Sequence, residues 1–185
     1  EGCRMNRGIR RALVAALLGA VAVGALHMVI VGTGYADTRG ADQCVWLDEF
    51  NDTIRQLGSN RAVWDIVEPD ELPDPRYAAY TEFGHGTVKV REDQRCEDVA
   101  DIVRHEWMHV QQVRMRGGGT EIRQAYGDRV EIVADCGSWL LGSDYTPYRD
   151  KSLADTGIGC TPQDIEDARE LIDHPSFADE ARGDR

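Results

Sequence analysis

Positive charge is scarce in this chain. Its 185 residues carry 21 Lys and Arg against 33 Asp and Glu, a net −12 with His neutral. The first 36 residues hold four of the basic residues and one of the acidic ones, so residues 37–185 keep 17 against 32, or −15. No basic patch forms anywhere, which argues against nucleic acid as a partner. The acidity reads as a solvated surface that favours solubility rather than as a code for basic substrates. Cysteine is sparse as well, with five in all and no Cys-x-x-Cys pair, so the common thiolate metal sites have no footing. Only one long apolar run exists, from Ala12 to Gly32, broken by His27. No internal repeat or second domain is visible.

That single run lies where a targeting segment would. Met5 reads as the natural start. Arg7, Arg10 and Arg11 precede the run, and Gly34 and Ala36 place small residues at a cleavage site. Residues 1–36 are therefore expected to be a signal peptide. The run is also long enough to span a bilayer, so an uncleaved leader would anchor the chain through residues 12–32. In both cases residues 37–185 form one exported domain, secreted or held in the cell envelope. Cys3 has no lipobox around it, so no lipid anchor is expected. Four cysteines remain, Cys44, Cys96, Cys136 and Cys160, an even number that suits two disulfides in an exported chain. Of the three connectivities, Cys44–Cys96 with Cys136–Cys160 is favoured, because each bridge ties an outlying helix to one that bears a motif. Oligomeric state is not readable.

The chemistry is concentrated in His105-Glu106-Trp107-Met108-His109. Positions i and i+4 share a helical face, so His105 and His109 can offer two imidazole nitrogens to one ion. Glu106 can reach a water on that ion without ligating it. The pattern is that of a metal helix with its own general base. The flanking residues Ile102, Val103, Trp107, Met108 and Val110 are uncharged, so the helix reads as buried. Two histidines and a glutamate there are costly unless something satisfies them.

Around this helix the chain reads as mainly helical α+β. Apolar residues at 46, 47, 50, 54 and 57 predict a helix over 44–57, closed by Gly58. A short helical turn is expected at Ala62–Val67. Pro69, Pro73 and Pro75 mark a loop. Tyr77–Phe83 and Thr87–Val90 flank Gly84-His85-Gly86 as an antiparallel hairpin. The hairpin runs straight into the metal helix, so it is a candidate shelf on which an extended peptide adds as a strand. The metal helix itself is expected over Glu97–Arg116, stopped by Gly117-Gly118-Gly119. Residues 120–142 read as helix with a break at Gly127, 142–159 as loop, and Pro162–Asp173 as a last helix. His174-Pro175 ends it, and a frayed tail follows from Ala178.

A third ligand must come from elsewhere. A metzincin extension would need glycine at 112 and histidine at 115, where this chain has Gln112 and Met115. An aspzincin pattern would need an Asp soon after Thr120, and none comes before Asp128. Glu131 and Asp135 do stand at i and i+4, 22 and 26 residues beyond His109. With His105-Glu106-x-x-His109 they resemble the gluzincins, the thermolysin-like zinc metallopeptidases. The resemblance covers the hairpin through Asp135 and fits a minimal zincin-like core rather than the full two-lobed enzyme. It implies one catalytic Zn²⁺ on His105, His109 and Glu131, with Asp135 orienting His105 through its other ring nitrogen. It implies hydrolysis of a peptide or protein substrate by a zinc-bound water, with Glu106 as general base. It also implies a Tyr or His that steadies the oxyanion: Tyr145 and Tyr126 rank first, with Tyr148 and His85 behind them. Two competing readings stand beside it. Asp128 and Glu131 could be a helix-capping pair, and the whole chain could be an exported, disulfide-tied binding or structural module with a structural or vestigial zinc site.

Overall fold

The computed structural model describes residues 44–173. The leader, the link at 37–43 and the stretch from His174 onward lie outside the described residues. Six helices and three strands follow in the order α1 (Trp46–Gln56), β1 (Trp64–Val67), β2 (Ala79–Glu82), β3 (Thr87–Arg91), α2 (Val99–Arg116), α3 (Gly119–Tyr126), α4 (Val130–Leu140), α5 (Pro147–Thr156) and α6 (Pro162–Asp173). This is the mainly helical α+β architecture expected. No helix among the described residues is long and apolar enough to cross a membrane.

α2 is the central element. It packs against α1, α3, α4, α6 and β2, and its sequence explains why. Val99, Val103, Met108 and Val110 are fully enclosed, and Trp107 nearly so. Each such side chain contributes about 1.5–3 kcal/mol when removed from water. Asp101 in its first turn and Arg114 and Arg116 in its last suit the helix dipole. Gly117 ends it at φ 98°, a backbone state that side-chain-bearing residues avoid. α4 crosses α2 closely because Gly137 presents no side chain there. A Cβ at 137 would collide with the Met108 thioether.

The structure corrects two expectations. The residues read as a helical turn are a short 3₁₀ turn at Arg61–Val63 followed by strand β1. β1 runs parallel to β3, while β2 pairs antiparallel with β3, in the order β1-β3-β2. The sheet is therefore mixed rather than a simple hairpin. Trp64 and Val67 are buried, and the extended backbone is satisfied by pairing with a distant strand, which local periodicity cannot reveal. The second correction is α5, which stands where a loop was expected. Its apolar content is low and none of its residues is buried, so it lacks the stripe that marks a helix. Pro147 opens it and Gly157, left-handed at φ 78°, closes it.

Both favoured disulfides are present. Cys44–Cys96 ties the start of α1 to the turn before α2, and Cys136–Cys160 ties α4 to the entry of α6. α6 is held to α4 a second time by ion pairs. Arg129 reaches Asp164 and Asp167, each at 2.8 Å, and the Thr161 N–H donates to Asp164 at 2.8 Å. Burial pushes the Asp164 carboxyl up, but the Thr161 donors and the Arg129 guanidinium outweigh it and hold it below the usual range. A depressed folded-state pKa gives stability that is complete above the ordinary Asp value of about 3.9 and fades as pH falls through the folded value. Thermal unfolding from pH 6 down to pH 3 should therefore show the wild type losing an advantage that Asp164→Asn never has. Parallel curves for the two proteins over that range would contradict this.

Candidate metal site and cleft

Two helices build the site. α2 presents His105 and His109 one turn apart, and α4 brings Glu131 over them from its first turn. His105 Nε2 and His109 Nε2 lie 3.1 Å apart. Glu131 Oε2 lies 3.3 Å from the second and 3.4 Å from the first. A tetrahedral ion with bonds of about 2.0–2.1 Å has ligand–ligand edges of about 3.4 Å. The three atoms thus form one face of such a tetrahedron.

The tautomers sharpen the fit. Gln112 Nε2 donates to the Val130 carbonyl at 3.0 Å, which leaves Gln112 Oε1 as an acceptor for His109 Nδ1 at 2.8 Å. His105 Nδ1 lies 2.7 Å from Asp135 Oδ1. Each Nδ1 must therefore carry a proton, and in the neutral ring each Nε2 is a bare lone pair. With both rings neutral, two lone pairs and a carboxylate oxygen converge, an arrangement that calls for a positive charge. The electrostatics show the same demand, which a proton on His105 meets when no metal ion does. Burial opposes a charge on His105, yet Asp135, Glu131 and Glu106 outweigh it and hold the imidazole up to about 10. Burial pushes Glu131 up, but His105 and His109 outweigh it and hold its carboxyl well below the usual range. The donor set of two imidazoles and one carboxylate suits zinc with an open fourth position.

Glu131 does not cap α4. That helix has no side-chain cap, and Asp128 lies in the 3₁₀ turn Gly127–Arg129 before it. Glu106 is buried beside the triad and outside it. Thr81 Oγ1 donates to its Oε2 at 2.5 Å. The register explains the contact: Thr81 pairs with Val88 on β3, so it shares the face that Val88 turns into the core.

Asp135 does more than face His105. Its other oxygen, Oδ2, accepts from the backbone N–H groups of Tyr148 at 2.6 Å and Arg149 at 3.0 Å. One fully buried carboxylate thus fixes a histidine and the first turn of α5 together. Asp101 acts in parallel. Its Oδ1 accepts from Arg104 at 2.9 Å, and its Oδ2 from the N–H groups of Tyr145 at 2.8 Å and Asp144 at 3.2 Å.

An open cleft of about 360 Å³ runs over the triad, lined by β2 with the residues leading into it, by α2, and by the 145–148 segment. Tyr145 and Tyr148 both line it, and the Tyr148 ring stacks on His105 at 6.1 Å. Burial, Glu131 and Asp135 push the Tyr148 phenol up to about 12. Tyr126 stands elsewhere, which corrects its ranking. It is buried, its phenol accepts from Arg116 Nε at 3.2 Å, and it does not line the cleft. His85 is exposed in its turn and is also absent from the lining. Sequence reasoning missed Thr81, Gln112 and Asp101. Gln112 alone had a local signal, standing i+3 from His109 on one helical face. No family model, no curated protein and no solved structure matches this chain.

Proposed function

We propose that the chain is an exported zinc metallopeptidase of gluzincin-like design. One observation carries this reading: three ligand atoms with both Nδ1 protons committed elsewhere converge within 3.4 Å of one another, in an open cleft, beside a buried carboxylate that is not one of them. His105, His109 and Glu131 hold the zinc. When bound there, zinc supplies a Lewis acid that acidifies a water and polarises a carbonyl. Glu106, aimed by Thr81, accepts the water proton as the nucleophile adds to the peptide carbon. It then returns the proton to the leaving amine. Tyr148 keeps its phenolic proton at neutral pH and offers it to the developing oxyanion. Among the described residues β2 is bonded only to β3, and its other edge accepts the substrate as an added strand. The two disulfides fit an oxidising, extracytoplasmic compartment.

The Glu106 carboxylate favours an enzyme over a structural zinc module, since a closed structural site has no use for a base beside its first ligand. A mixture of unstructured peptides tests the proposal. Incubation with the zinc-loaded protein should yield new amino termini. Chelation should stop their release, and stoichiometric zinc should restore it. Cleavage that persists without metal would contradict the mechanism, and no cleavage by the loaded protein would leave the binding-module reading in its place.

A further inference from the structure

We infer that Asp101 is a positioning residue for the proposed reaction: it holds the 143–146 segment so that Tyr148 keeps its ring on His105 and its phenol available to the oxyanion. This deepens the peptidase reading and rests on it.

A plainer role does not account for the contacts. An acid in the first turn of α2 suits the helix dipole, yet that needs no partner on another element. Asp101 stands one helical turn before His105 on the same face, and it lines the cleft with a side chain only 12% exposed. Both of its oxygens are used. Arg104 Nη1 donates to Oδ1 at 2.9 Å, which orients the carboxylate. The N–H groups of Tyr145 and Asp144 donate to Oδ2 at 2.8 and 3.2 Å. Asp144 and Tyr145 are exposed, so water would also satisfy those N–H groups, and the net gain in stability is small. What the bonds fix is place.

The segment is pinned at three points in succession. Ser143 Oγ meets Ser138 Oγ of α4 at 2.6 Å. Asp101 then takes the N–H groups of Asp144 and Tyr145, and Asp135 takes those of Tyr148 and Arg149. Between the two carboxylates lie Thr146, fully buried, and Pro147, whose ring locks one backbone angle. Few torsions therefore separate the anchor points. Asp135 alone is a pivot about which the segment can swing, and Asp101 supplies the second support. The Tyr148 ring lies 6.1 Å from that of His105 with planes 16° apart, a stacking that lasts only while its backbone stays in place. A displacement of about 1 Å in a group that meets the reacting atoms costs on the order of 10²-fold in rate.

A double-mutant cycle on the zinc-loaded full chain gives the test. Asp101→Ala should keep its zinc, because the ligand atoms and Asp135 are untouched. It should lose about 10–100-fold in kcat with KM little changed, since the oxyanion contact exists only in the transition state. Hydrogen exchange should rise at Asp144 and Tyr145. Asp101→Asn keeps an acceptor oxygen for the two N–H groups and should stay within about threefold of the wild type. In a Tyr148→Phe background, which has already lost the phenol, Asp101→Ala should cost less than about threefold more. A general loss of folded protein would carry into that background undiminished. Such additive losses would overturn the inference, as would a wild-type kcat in Asp101→Ala or the loss of its zinc. The same cycle is then run on the binding of acetohydroxamate, an anionic zinc ligand, by calorimetry. Coupled losses there, in a protein that cleaves no peptide, would remove the hydrolysis and keep the positioning role. Additive losses there would overturn the role whatever the protein cleaves.

Discussion

Glu106→Gln is expected to bind zinc as the wild type does and to lose hydrolysis, with kcat down by about 10²–10⁴ and KM little changed. Glutamine keeps the volume, and its amide oxygen can still accept from Thr81, so the buried wall between β2 and α2 survives. The amide cannot take up a proton, and that function has no substitute nearby. Glu131 is engaged with the two imidazoles, and Asp135 is closed off by His105 and the backbone of α5. Metal content by elemental analysis beside single-substrate kinetics separates the two effects. Full activity in the variant would mean that Glu106 is a buried structural acid and not the base.

Asp135→Ala should have the second largest effect, and it should appear in two measurements at once. The change removes the acceptor of three hydrogen bonds at a position that is 0% exposed. Each abandoned buried donor costs about 1–3 kcal/mol. Some water entry will lessen the sum, so a loss of roughly 3–5 kcal/mol in unfolding free energy is expected, as for breaking a buried charged pair. Zinc affinity should fall by about 10–100-fold, because the tautomer and orientation of His105 are no longer imposed. Hydrogen exchange should rise at Tyr148 and Arg149, since helix α5 buries none of its own side chains and depends on this anchor. Asp135→Asn should fall between the two proteins in stability. An alanine variant with wild-type unfolding and wild-type zinc affinity would show that Asp135 is dispensable to both.

What could be read in the sequence was local, and what could not was long-range. His105, Glu106 and His109 announce themselves because a helix converts i, i+1 and i+4 into a geometry without help from the rest of the chain. Glu131 and Asp135 stand out only through the resemblance to a known family, since nothing local says that α4 lies across α2. The Gly137–Met108 contact that permits the crossing is invisible until both helices are placed. β1 reads as a turn because its pairing partner β3 lies more than twenty residues away. α5 reads as loop because it has no buried face, and its first turn is positioned by the hydrogen bonds that Asp101 and Asp135 accept from the backbone there. Thr81 escaped notice for the same reason: its role depends on a cross-strand register. Tyr126 is an oxyanion candidate only through the family resemblance, and the fold turns it toward Arg116.

In the proposed site His105, His109 and Glu131 together hold one zinc ion. The most direct test is zinc content after exhaustive dialysis, wild type beside Glu131→Ala, with circular dichroism to show that both are folded. One zinc per chain in the wild type, with most of it lost in the variant, is the result expected. Zinc retained by Glu131→Ala would move the third ligand elsewhere, and a folded wild type without zinc would contradict the account outright.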